Sequence, residues 1–150
     1  MNLKHFKESE FFAWSGNTKI NVFHLMNKDF LLFLDDVRDY VGTEFRLNNS
    51  FAFGTGHSSK SYHYKGMAID FITPHKSYID TANKIHEYFV KNKLKYGGLG
   101  LYPYWHTQGL HLDNGNHKRA NKPTYWVRDK TKKYLYSFNY RDITKKIYGS

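Results

Sequence analysis

The 150-residue chain contains no cysteine. That excludes disulfide staples, thiolate metal sites and cysteine nucleophiles, so any metal must take histidine, aspartate or glutamate. No stretch approaches the ~18 apolar residues of a membrane span, and the opening "MNLKHFKESEFF" lacks the basic segment and apolar run of a secretory signal. The expectation is a chain made in the cytoplasm with neither a recognisable signal nor a membrane segment. Acidic residues are also few: 13 Asp and Glu stand against 23 Lys and Arg, a formal net charge of +10. Such a surplus points to a polyanionic partner, and both nucleic acid and an anionic bacterial wall fit that description. The basic residues scatter, thickening only in "NHKRANK", "RDKTKK" and "RDITKK", which reads as a solvated face. Repeats, linkers and low-complexity tracts are missing too, so residues 1–150 are expected to form one domain.

Rings are what the chain has in quantity. Aromatics make up 19% of residues, with 13 tyrosines and 12 phenylalanines, enough to fill a core with rings whose polar tips reach water or hydrogen bonds. In "NKDFLLFLDDVRDYVG", Phe30, Leu34, Val37 and Val41 recur at helical spacing, with Asn27 as a cap and Gly42 as a stop. In "HKSYIDTANKIHEYFVKNKL", Tyr78, Ala82, Ile85 and Phe89 form a second stripe, with Pro74 before it and "YGG" ending it. The segments "FRLNNSFAF", "MAIDFIT", "GLGLY", "GLHLD", "TYWV" and "KYLYSF" are β-branched or aromatic-rich and bounded by Gly, Asn and Pro, which predicts strands. Two main helices and several short strands without βα alternation predict an α+β domain with an antiparallel sheet.

Chemistry concentrates in "SYHYKGMAID". With Met67 to Phe71 as a strand, Ala68 and Asp70 share a face and His63 lies in the turn leading in, so both can converge on one ion. Gly66 and Ala68 are small and allow close backbone approach. In "GLHLD", His111 and Asp113 share a strand face, and one strand pairing would bring His111 beside Asp70. Two histidines and one carboxylate leave a tetrahedral zinc an open position for water, as in catalytic sites. Zinc is the first choice for such nitrogen and oxygen donors, which other divalent ions also accept. His5, His24, His75, His86 and His117 show no paired spacing with carboxylates and are read as surface or partly packed residues. Ser61 has no basic partner in sequence and is expected to hydrogen-bond near the site rather than act as a nucleophile.

"SYHYKGMAID" followed by "YGGLGLYPYWHTQGLHLDNG" resembles the zinc D-Ala-D-Ala carboxypeptidase family of metallopeptidases. The pattern is Ser-x-His-x-x-Gly-x-Ala-x-Asp, then Gly-Gly-x-Gly-x-Tyr and His-x-Asp, and the likeness covers roughly residues 5 to 115. The resemblance implies a hedgehog/DD-peptidase fold, Zn2+ held by His63, Asp70 and His111, and hydrolysis of amide bonds in peptidoglycan stem peptides. It further implies a carboxypeptidase or an endopeptidase acting on the cell wall, as phage lysins and virion components do. Zinc would acidify a water and polarise the scissile carbonyl while a neighbouring base moves the proton.

Where family branches carry Glu or Asp three residues before the third ligand, this chain has Gln108, which cannot shuttle a proton. His106 and Asp113 are the two candidate catalytic bases, Asp113 alternatively orienting a ligand. The family's arginine is missing from "NNSFAFGTGHSSK", where Lys60 or His57 offer donors without matching the motif. Ser61 and Tyr102 are the candidate substrate-binding residues, with Tyr104 and Trp105 in the same Pro-containing loop. The competing reading is a catalytically weak or inactive zinc-containing domain that binds cell wall or nucleic acid through its basic surface.

Overall fold

The computed structural model describes residues 2–50 and 61–148. An opening hairpin pairs β1 (Phe12–Ser15) with β2 (Thr18–Asn21). Then follow α1 (Lys28–Val41), β3 (Arg46–Asn49), β4 (Ala68–Ile72), α2 (Tyr78–Lys91), β5 (Gly98–Tyr102), β6 (Gly109–Asp113), β7 (Thr124–Arg128), β8 (Tyr134–Ser137) and α3 (Tyr140–Tyr148). The architecture is α+β. Among the described residues no helix is long and apolar enough to cross a membrane.

Helix boundaries follow local chemistry. The Asn27 side chain accepts from the Phe30 N–H at 2.9 Å, capping α1, and Gly42 leaves it in the left-handed conformation at φ 77°. Ser77 accepts from the Asp80 N–H at 3.0 Å to start α2. That helix stops at Lys91, ahead of the predicted "YGG", because the Asn92 and Leu94 amides already turn back to the Tyr88 and Phe89 carbonyls.

Strands β3 to β8 form one sheet in the order β3-β4-β6-β5-β7-β8. Two expectations are corrected here. The sheet is mixed rather than antiparallel, because β5 and β7 run parallel, Gly100 opposite Trp126. The chain leaves β6, crosses β5 and returns in the same sense, a non-local path that strand patterning does not encode. Among the described residues there are also three α-helices rather than two: α3 follows β8 closely, burying Tyr140 and Ile143.

Alternation divides the sheet into two faces. Ile69, Phe71, Leu99, Leu101, Leu110, Leu112, Tyr125 and Val127 lie on one and are buried against Phe30, Leu34, Ile85, Phe89 and Ile143 of the helices. Phe71 stacks on Phe45 with centroids 4.3 Å apart. The other face carries Ala68, Asp70, Gly98, Gly100, Tyr102, Gly109, His111, Asp113, Trp126 and Arg128. Its two central β5 glycines are steric requirements: a methyl at Gly98 would lie 2.5 Å from Asp113 Oδ2, and one at Gly100 would enter the Trp126 indole. The "GGLG" spacing therefore clears room on this face for side chains from β6 and β7.

Gly100→Ala is expected to fold with Trp126 displaced, at a cost of about 1–3 kcal/mol from overpacking. Denaturant unfolding with tryptophan fluorescence checks this, and an unchanged midpoint would refute the steric reading.

Candidate metal centre

His63 reaches the site from a 3-10 turn, Tyr62–Lys65, whose first amides are organised by Ser61: its Oγ accepts from the His63 N–H at 3.2 Å. The turn closes at Gly66, φ 65°, where any Cβ would strike the Leu25 carbonyl. Four residues on, Asp70 projects from β4. Its register partner on β6 is His111.

These three side chains meet at one oxygen. His63 Nε2 lies 3.3 Å and His111 Nδ1 3.1 Å from Asp70 Oδ1, and donor atoms of all three residues sit within 4.8 Å of one another. Metal–ligand bonds of ~2.0–2.1 Å at tetrahedral angles hold ligand atoms roughly 3.4 Å apart, so both measured edges have the size such an ion needs. The donor set suits a divalent ion of zinc type. His63 and His111 are buried, and Asp70 is 14% exposed at its side chain.

Asp113 stands behind His111. While Nδ1 of the ring faces Asp70, Nε2 faces Asp113 Oδ2 at 2.7 Å, so the carboxylate braces the ring edge remote from Asp70. Asp113 also accepts from the Gly115 N–H at 2.9 Å and contacts His117 Nε2 at 2.8 Å. It is wholly buried. A carboxylate on the outer nitrogen of a ligating histidine fixes ring orientation and raises its basicity.

His117 is partly buried, as expected, but the reading that it lacks paired spacing with a carboxylate is corrected by this contact. The signal lay in "HLDNGNH", where it follows Asp113 by four residues. His5 and His75 also have carboxylate partners, Asp39 at 2.8 Å and Glu44 at 3.4 Å, in pairs whose carboxylates are about half exposed. His86 is half-buried against Tyr125 and Tyr140.

Around the triangle lies an aromatic wall. Trp126 packs on His111 with centroids 4.9 Å apart and donates its indole N–H to the Tyr102 oxygen at 3.0 Å. Burial, the Asp70 charge and the neighbouring Tyr134 keep the Tyr102 phenol protonated far above its ordinary range, against the pull of the Trp126 bond. Trp105 stacks on Tyr102 at 4.2 Å and covers Gly109, so the loop between β5 and β6 folds back over the site face. His106, Gln108 and Tyr104 are exposed in that loop, and the Gln108 amide donates to the Pro103 carbonyl at 3.3 Å. His57 and Lys60 lie outside the described residues. Trp126 was not singled out from the sequence, although alternation in "TYWVR" sets it on one face with Thr124 and Arg128.

No protein-family model, curated protein or solved structure matches the chain. The case for the site therefore stands on its geometry and donor chemistry.

Charge within the triangle is balanced by proximity. Burial disfavours the His111 cation, but hydrogen bonds and charge from Asp113 and Asp70 outweigh it and raise the ring to about 9. Burial likewise opposes the Asp70 and Asp113 anions, yet their histidine partners hold both below the usual carboxylate range. With the unfolded value at 6.5, the His111 contribution to stability is complete below that pH and fades as pH rises toward about 9. The carboxylate contributions are complete above 3.8 and fade only in strong acid.

A divalent ion must displace the proton on His111 Nδ1, so zinc loading near neutral pH is expected to release protons and to tighten as pH rises toward 9. Calorimetric titration of metal-free protein in buffers of differing ionisation enthalpy measures this. Identical heats in all buffers would contradict the assignment of His111.

Proposed function

We propose that the chain is a zinc-dependent peptidase that hydrolyses amide bonds in the stem peptides of bacterial peptidoglycan, as a D-Ala-D-Ala-type carboxypeptidase or an endopeptidase. The observation that carries this reading is the His63–Asp70–His111 triangle, three donors brought together on one side of the sheet with His111 braced by Asp113. Three protein donors leave a four-coordinate ion one position for water, the arrangement of hydrolytic rather than structural sites. The motif resemblance and the basic surface, suited to an anionic wall, support the same substrate.

His63, Asp70 and His111 would hold the ion, and zinc, when bound, supplies acidification of a water and polarisation of a scissile carbonyl. The chain's own residues do the remainder. Asp113 keeps the His111 ring turned so that Nδ1 faces the site. With its oxygens engaged by His111, His117 and the Gly115 amide and no exposure to solvent, Asp113 is better suited to positioning than to proton transfer. His106 is the base we favour: it is exposed on the loop whose Trp105 folds over the site face, and in that role it would accept the water proton and return it to the leaving amine. Ser61 holds the turn that presents His63. Tyr102 and Trp105 offer a protonated phenol and a ring surface to the peptide.

Incubation with purified peptidoglycan should release new amino groups, and a chelator should stop the release until zinc is restored. His106→Ala should retain zinc and lose ~10²–10⁴ in rate, whereas Asp113→Asn should lose about 10–100-fold through weaker support of His111. Zinc-loaded protein that binds the wall but cleaves nothing would replace this reading with a wall-binding module. An inactive Asp113→Asn beside a fully active His106→Ala would move the base to Asp113.

A further inference from the structure

Beyond the metal triangle, the site face carries one cation that the chemistry above does not use. Arg128 ends β7, two residues after Trp126 and therefore on the same face. Along β5 the equivalent step leads from Gly100 to Tyr102, so Arg128 belongs to the row of side chains next to the row holding Asp70, His111 and Trp126. Two strand spacings of ~4.8 Å and two residues of ~3.3 Å put its Cα roughly 12 Å from that of His111. An extended peptide of about three residues covers that span.

Among the described residues Arg128 has no ion-pair partner, and its Nε is buried with no hydrogen-bond partner. The adjacent Asp129 commits Oδ1 to its own turn, accepting from the Thr131 N–H at 2.8 Å, the Thr131 hydroxyl at 2.6 Å and the Lys133 N–H at 3.0 Å. The Tyr134 ring lies 5.8 Å from the guanidinium carbon and restricts where the fork can point. A recess of about 90 Å³ opens there, walled by the rings of Tyr102, Tyr104 and Trp105 and edged by Arg128, Lys130 and Lys132, three cations against the single carboxylate of Asp129. It is the size of a small polar group rather than of a ring, and its charge is positive. A planar fork with a buried unpaired nitrogen is matched best by a carboxylate, which it can bind bidentately.

We infer that Arg128 anchors a carboxylate of the bound peptide in this recess and so sets which peptides the metal centre acts on. This rests on the peptidase reading for its substrate class. The carboxylate is either the peptide's terminus or an acidic side chain, and Tyr102, hydrogen-bonded to Trp126 and stacked on Trp105, forms the floor between anchor and metal.

The test uses the zinc-loaded full chain and three acylated peptides ending in D-Ala-D-Ala with one acidic residue: the parent, its C-terminal amide and its side-chain amide. Binding is read by tryptophan fluorescence and turnover by release of amines. For wild type, one of the two amides should bind about 10–100-fold more weakly than the parent, the size of a lost charge-assisted contact, and which one identifies the carboxylate. Arg128→Ala should bind the parent as weakly as wild type binds that amide and no longer distinguish them, while Arg128→Lys should recover part of the difference. Equal losses on parent and both amides, or no loss, would overturn the anchor. Failure of wild type to distinguish the peptides, or to bind any, would overturn it too. Arg128-dependent binding without cleavage would keep the anchor and reject the peptidase reading. Should Arg128→Ala fail to fold, the same amidation series on Arg128→Lys decides: a selectivity equal to wild type overturns the proposal, and a reduced one supports it.

Discussion

The antiparallel register of β4 against β6 sets Asp70 directly opposite His111, and because side chains alternate along both strands, every other feature of the site depends on it. A slip of either strand by one residue would turn its donor into the aromatic core and bring Ile69 or Leu112 to the site face. The register is held from the reverse side, where Ile69, Phe71, Leu110 and Leu112 are buried against α1 and α2. Core packing thus fixes a chemical geometry several ångströms away. The same alternation orders β5 and β7, so glycines clear the space that Asp113 and Trp126 occupy.

Gathering two aspartates and three histidines, most of them buried, in one small volume is costly unless each charge is matched. Here the matching is reciprocal. Asp70 lies between His63 and His111, and Asp113 between His111 and His117, so that His111 bridges the two carboxylates with its two nitrogens. Raised to about 9, His111 carries protons on both nitrogens near neutral pH, one toward each carboxylate. A divalent cation in place of one of them would add charge exactly where Asp70 is most able to balance it, while Asp113 keeps its bond to the ring. The arrangement links folding, protonation and metal binding through one imidazole.

Much of this was legible in the sequence because the deciding features are local. The Asn27 cap and the Gly42 stop bracket α1, and the periods of Phe30–Val41 and Tyr78–Phe89 mark the helices. The six strand segments of the large sheet were visible as short apolar runs between Gly, Asn and Pro. His63, Asp70 and His111 stood out because a glycine and an alanine separate the first two and strand alternation pairs the third with Asp113. What stayed hidden is non-local. The parallel placement of β7 beside β5 depends on the path of residues 114–123, and with it goes the position of Trp126 and Arg128 on the metal face. The short α3 carries charge at Arg141, Asp142, Lys145 and Lys146 and buries only Tyr140 and Ile143, too few for its period to stand out. His117 was passed over because four-residue spacing from Asp113 matters only once a 3-10 turn after β6 folds the chain back.

The central claim is that one divalent ion sits among His63, Asp70 and His111. Anomalous X-ray diffraction from crystals of the zinc-loaded protein, collected on both sides of the zinc absorption edge, addresses it directly. The account predicts a single strong peak ~2.0–2.1 Å from His63 Nε2, His111 Nδ1 and an Asp70 oxygen, with Asp113 still bonded to His111 Nε2. A peak coordinated instead by His117 and Asp113, or zinc found only at exposed surface histidines, would contradict it.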